Sequence, residues 1–332
     1  MDHLMKGINK MKDKKPDKGS QKPLGMFSAG LKTELFLLAL LTLLVIFFSV
    51  KSDVFFTAGN LKTLTRQASI YGIIAIGMVV VITSGGIDLS VGSVTGISGI
   101  VAAILMVGGT PIPLAMLLAI GCGVLLGFVN GMLVHDGKVP PFIATLGTMT
   151  VVRAMIMLIT KASMISGIPT SFRQIAQREM LGVPFLFVVW CIIILLTWFM
   201  TKKTIFGRNV YALGSNREAA RLSGINIRLT TYGVYMFSGL VCSIAGLLLT
   251  ARLGNGVPTA GSGYELDAIA AAVVGGASLD GGSGSVIGTV LGSMIMATLR
   301  QGGVLLGVNS FILEIIIGSL IVVAVLLDKL RN

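Results

Sequence analysis

The 332-residue chain predicts an all-α, polytopic membrane fold with about ten transmembrane helices, some of them broken by glycine, and three observations carry that prediction. Only 12% of its residues are charged, about half the share of an ordinary soluble domain. Apolar runs near the bilayer-crossing length of about 20 residues recur between residues 33 and 328. Two of these runs break at glycine clusters, and the one long polar stretch inside the apolar body, Lys202–Arg228, falls in mid-chain. The net charge of +12 reads as membrane orientation and contact with anionic lipid, not as a nucleic-acid footprint. Cys122, Cys191 and Cys242 lie in apolar runs without CxxC spacing and read as packing residues. With His3 and His135 the only histidines, neither a metal site nor a catalytic nucleophile–histidine pair is expected.

Residues 1–32 hold eight lysines and read as a basic cytoplasmic tail, with no cleavage site after the first apolar run. The transmembrane body, 33–328, follows. Spans are expected at 33–50, 61–83, 90–108, 112–134 and 142–160, the third dense in small residues that let helices approach. A polar outer segment, 161–182, has room for a short surface helix, and the sixth span is expected at 183–201. Spans 229–251, 285–306 and 310–327 complete the second half, with a glycine-rich outer loop expected over 252–265. Between that loop and 285 comes the remaining span, 266–277, the eighth in order, which is too short to cross a bilayer by itself. Ten crossings leave both termini inside and put most basic residues on inner segments.

The two breaks correspond. Gly85, Gly86, Leu89, Gly92 and Ser93 match Gly275, Gly276, Leu279, Gly282 and Ser283 at a constant offset of 190. Glycine-interrupted segments at matching places in two halves point to a transport pathway. A real structural correspondence is the favoured reading, with chance in a glycine-rich chain, or packing, as the alternative. Within Lys202–Arg228, Asn216 precedes Arg217-Glu218-Ala219-Ala220 as a helix start, and Gly224 stands where a two-turn helix would stop. Such a helix either docks on a soluble partner or merely joins two spans.

No GxxxxGK[ST] phosphate loop occurs, so the chain has no visible means of hydrolysing ATP. Charges inside spans are functional by default. Arg66, Arg300 and Glu314 sit near outer ends, where snorkelling or an Arg300–Glu314 pair accounts for them. Arg153 is deeper and reads equally as a solute contact or half of a structural pair. Asp88 is expected to cap the helix after the first break or to serve a gate, and Asp267 reads as a helix-end charge. Gln67, Asn130, Thr145 and Thr148 are neutral hydrogen-bonding groups of the kind a polyol passage uses, and any one of them reads more often as a helix–helix contact.

Ile82–Gly92 (ITSGGIDLSVG), Pro141–Thr148 (PFIATLGT), Gly263–Ala271 (GYELDAIAA) and Gly275–Gly282 (GGASLDGG) together resemble the permease subunits of ribose-type monosaccharide ATP-binding-cassette importers. The likeness covers about residues 55–328. It implies a homodimer of permeases in the bacterial plasma membrane, a cytoplasmic ATPase that uses ATP, and an extracytoplasmic sugar-binding protein. No cofactor on this chain is implied. It also makes the mid-chain helix a coupling helix with Arg217, Glu218, Ala219, Ala220 and Gly224 as its coupling residues, of which Glu218, Ala219, Ala220 and Gly224 match the E-A-A-x-x-x-G core. Val234 and Met236 stand where the wider signature has Ile and Leu. Gly85, Gly86, Asp88, Asn130, Thr145, Thr148, Gly275 and Gly276 are the expected path or gate. Permeases for autoinducers, nucleosides or branched-chain amino acids, and a gradient-driven secondary carrier, are the alternatives.

Overall fold

A computed structural model describes residues 24–331. Residues 1–23 of the expected basic tail lie outside the described residues. The chain forms α1 (Leu24–Lys51), α2 (Ala58–Thr83), α3 (Val91–Val107), α4 (Ile112–His135) and α5 (Pro141–Thr160). Then come α6 (Thr170–Gln177), the two-residue strands β1 (Glu179–Met180) and β2 (Val183–Pro184), and α7 (Phe185–Lys203). The rest is α8 (Ile205–Ser215), α9 (Arg217–Leu222), α10 (Ile227–Leu253), α11 (Tyr264–Val274), α12 (Val286–Leu305) and α13 (Ser310–Arg331). All ten expected spans are helices. Among the described residues, six are long and apolar enough to cross a membrane: α2, α4, α5, α7, α10 and the 32–51 part of α1. The chain is an integral membrane protein.

Those six divide into a centre and a rim. The most apolar stretches of α2 and α10 are each 78% buried, against 17–28% for α1, α4, α5 and α7. The rim helices are apolar all round because their outward faces meet lipid. The centre is held by close backbone approach. Gly123, Gly127 and Gly131, one turn apart on α4, lie against Gly239, Tyr235 and Tyr232 of α10, and a Cβ at Gly127 would overlap the Tyr235 carbonyl. Without a hydrophobic drive between helices in lipid, such small-residue seams supply the contact area. The seventeen-residue α3 is buried on nearly every face and packs on α10, α4 and α5.

Four expectations need correction. The first helix begins at Leu24, ahead of residue 33, because nothing after Pro23 breaks it. Lys202–Arg228 holds two helices, since Thr204 caps α8 through the Gly207 N–H (3.2 Å) before α9 begins. Arg300 pairs with Asp267 at 2.7 and 3.0 Å, with Glu314 left out, because Asp267 sits on the first turn of α11 facing α12. Finally, 252–265 is more than an outer loop. It exchanges two backbone hydrogen bonds with Ile165 at Gly256, then descends until Gly261 touches Gly92 on the first turn of α3. The eleven-residue α11 therefore starts beside Tyr71, midway along α2 (ring centroids 4.7 Å apart), and spans only half the thickness, as its length requires.

Candidate functional site: a joint between two broken helices and the basic-end helices

Both breaks end their helices in one way. At the first, Gly85 is left-handed (φ +82°), with its N–H on the Ile82 carbonyl and the Gly86 N–H on the Val81 carbonyl. At the second, Gly276 is left-handed (φ +89°), with its N–H on the Val273 carbonyl and the Ala277 N–H on the Ala272 carbonyl. This double bond pattern satisfies carbonyls that a helix end leaves unpaired, and it wants glycine at the left-handed position. The conformational match pairs Gly85 with Gly276, one residue away from the 190 offset of the identities. Ser84 is the last right-handed residue at one break, and Gly275 is the last at the other.

The breaks meet each other. The Gly282 N–H donates to the Thr83 carbonyl at 2.9 Å. Gly214, on the last turn of α8, is wedged between them, and a Cβ there would overlap the Thr83 carbonyl and stand 2.5 Å from the Gly282 nitrogen. Ser215 lies against Gly282, and the Tyr211 hydroxyl donates to the Gly284 carbonyl at 2.8 Å. A cavity of about 260 Å³ opens beside this joint, lined by Gly85, Gly86, Gly214, Asn216, Tyr235 and Asp280. The Tyr235 hydroxyl is buried there with no hydrogen-bond partner.

Two residues past Ser215, α9 begins. Asn216 caps it by accepting the Ala219 N–H at 2.9 Å, an arrangement that contributes about 1 kcal/mol. Left-handed Gly224 ends it, as the Gly224 and Ile225 N–H groups reach back to Arg221 and Ala220. Ala220 is buried between Leu213 and Ile227, whereas Arg217, Glu218, Ala219 and Leu222 face outward. Glu218 and Arg221 pair across one turn at 3.1 Å. Arg217 reaches His135, and Arg228 and the Tyr232 hydroxyl both bond Asp136, so the α4–α5 connection is tied to the same end.

The polar residues expected in a passage are brought together as a buried network. The Asp88 carboxylate accepts from the Ser90 N–H (2.9 Å), the Ser90 hydroxyl and the Ser238 hydroxyl (2.9 Å). Three donors compensate much of what burying a carboxylate costs. Asn130 donates to the Ser90 hydroxyl (2.9 Å) and accepts from Thr148 (2.6 Å). The Thr145 hydroxyl accepts the Leu89 N–H (3.1 Å) and lies 3.0 Å from the Ile87 carbonyl. Asp88 thus holds Ser90, the residue just before α3, and α4, α5 and α10 each contribute a side chain to the first break. Sequence reasoning missed Gly214, Ser238 and Tyr235. No local signal marks them, because their roles arise only from long-range contact.

Residues 60–326 match the family described as branched-chain amino acid transport system / permease component. The ribose import permease protein RbsC of Bacillus subtilis (strain 168) is 42% identical over 294 residues, covering 88% of this chain and 91% of that protein. The protein of the same name from Escherichia coli (strain K12) is 42% identical over 303 residues, 89% of this chain and 93% of its own length. The xylose transport system permease protein XylH of Escherichia coli (strain K12) is 37% identical over 367 residues, 92% of this chain and 93% of its own. No solved structure matches. The family model covers most of the chain and these relatives cover nearly all of it, so the chain belongs to the branched-chain amino acid transport system / permease component family, a transport subunit and not an enzyme.

Proposed function

We propose that this chain is the membrane permease of an ATP-binding-cassette importer for a monosaccharide, acting as a homodimer with a cytoplasmic ATPase and an extracytoplasmic sugar-binding protein. The observation that carries the substrate is the high identity to permeases named for ribose and xylose. In this reading the end that carries α8 and α9 faces the cytoplasm of a bacterium, as do both termini, since short basic segments stay inside. ATP is used by the partner, and the chain itself binds no cofactor.

Coupling runs through α9. The outward residues Arg217, Glu218, Ala219 and Leu222 offer a docking face for the ATPase, while Ala220 ties the helix to α8 and α10 and Gly224 lets the chain turn back. Movement of α9 pulls on Ser215 and Gly214, which touch both breaks. Gly85, Gly86, Gly275 and Gly276 then work as the inner gate, and Asp88, Asn130, Thr145 and Thr148 clamp its first half. Residues 1–32 serve as a basic cytoplasmic tail and 33–328 as the permease domain.

The test is uptake into proteoliposomes carrying this chain with and without its ATPase and binding protein. Ribose or xylose should accumulate only with both partners and ATP. Uphill movement on a proton or sodium gradient with the chain alone overturns the coupling reading. Accumulation of leucine but of neither sugar overturns the substrate.

A further inference from the structure

Partway along α5, that helix and the end of the descending 254–263 segment border an open groove of about 390 Å³, lined among others by Thr150, Arg153, Met157, Ser262 and Glu265. Its volume lies in the range of about 300–1,000 Å³ typical of small-ligand sites. Arg153 donates to the Ala260 carbonyl at 2.9 Å, and among the described residues no carboxylate lies within 4 Å of it. Glu265, on the first turn of α11, lines the same groove; its Oε2 is buried against Gly92 of α3 with no hydrogen-bond partner, which leaves the other carboxylate oxygen to face the groove. A guanidinium and a carboxylate so deep in a bilayer are costly unless each is satisfied. Here they share one groove and do not close on each other. The polar groups around Asp88, by contrast, bond among themselves and have little left to offer a solute.

A hydroxyl both accepts and donates, so a polyol bridges such a pair: one hydroxyl accepts from the guanidinium and another donates to the carboxylate. Met157 and Ala154 supply an apolar wall for the C–H face of a ring. We propose that this groove is a mid-membrane station for a neutral polyhydroxylated solute, with Arg153 and Glu265 as its two contacts. The inference rests on the monosaccharide reading above and adds the place where the sugar is held.

Thr150→Cys in the full chain, with Cys122, Cys191 and Cys242 changed to alanine, puts one thiol in the groove. The protein in lipid nanodiscs is labelled with a small water-soluble thiol reagent, alone, with ribose or xylose, or with leucine. A site held at about ten times its Kd is free roughly a tenth of the time, so sugar should slow labelling about tenfold. In the same background Arg153→Met and Glu265→Gln should each remove that protection while labelling without sugar stays fast, which also reports intact folding. Fast labelling unaffected by every solute overturns the proposal, as does a thiol the reagent never reaches, since the groove is then sealed by lipid or another chain. Protection by leucine alone keeps the groove as a solute station but rejects both the polyol and the monosaccharide reading. Protection by sugar that survives both substitutions rejects these two residues as the contacts.

Discussion

At the first break the chain leaves α2 through Ser84 and Gly85 and is met by side chains from three other helices: Asn130, Thr145 and Ser238. At the second it leaves α11 through Gly275 and Gly276 and is met by backbone groups, with Tyr211, Glu34 and Lys329 each making a side-chain bond. The carboxylates differ in the same sense. Asp88 is 2% exposed and triply bonded, whereas the Asp280 side chain is 65% exposed and, among the described residues, pairs with Lys329 at 3.3 Å. Helix ends of one geometry thus sit in opposite settings, one clamped and one hung on neighbouring peptide groups. After the first break α3 departs from α2, while after the second α12 packs back along α11. A clamped break suits a pivot, and a break held by backbone bonds suits the part that moves.

The largest effect is expected where the two breaks touch. Gly214→Val places side-chain atoms against the Thr83 carbonyl and the Gly282 nitrogen, both backbone and unable to rotate away. Overpacking of this kind costs about 1–3 kcal/mol, and sugar uptake by the reconstituted importer should fall to background. Uptake at the wild-type rate would show that the breaks work without a common joint. Glu218→Lys, on the exposed face of α9, should also stop uptake, but with an unchanged thermal midpoint in detergent, because Glu218 supports nothing inside the fold. A lowered midpoint would make it a structural residue.

The clamped and hanging carboxylates give the next contrast. Asp88→Ala strands the Ser90 N–H and two hydroxyls in the interior, and leaving such groups unsatisfied costs about 2–4 kcal/mol. Asp280→Ala removes one exposed pair, worth less than about 1 kcal/mol. Thermal unfolding of the two variants side by side measures the difference. Equal midpoints would erase the distinction between pivot and mover.

Much of this was legible in the residues. Apolar run length placed ten helices, and the run 266–277 was visibly too short to cross. Asn216 and Gly224 marked both ends of α9 through local capping chemistry. What stayed hidden depends on contacts far apart in sequence. Asp88 and Asp280 follow similar glycine pairs, and nothing nearby says that one is buried against Ser238. The descent of 254–263 was read as a loop because glycines that let backbone lie against α3 look the same as glycines in solvent. Position near the outer ends of their spans leaves Arg300 either snorkelling or paired with Glu314, whereas the first turn of α11 presents Asp267 instead. Glycine identities likewise suggested a register of 190 where the backbone uses 191.

That register offers the smallest and sharpest test. Gly85 and Gly276 are the left-handed residues, and a Cβ on either meets nothing closer than 3.5 Å, so alanine there should cost only the strain of the conformation, about 1–2 kcal/mol at each. Gly275 is right-handed and strain-free, yet its Cβ would stand 2.5 Å from the Thr289 nitrogen, against the backbone of α12. Its nominal partner at offset 190 is Gly85, and its conformational partner is Ser84, which already carries a side chain. Alanine at Gly85 and Gly276 should therefore shift the thermal midpoint by similar small amounts, while Gly275→Ala shifts it more, through crowding of α11 against α12. If Gly275 and Gly85 instead tolerate alanine alike and Gly276 stands apart, the two helix ends are not built on one plan, and the pivot and the moving part would need separate explanations.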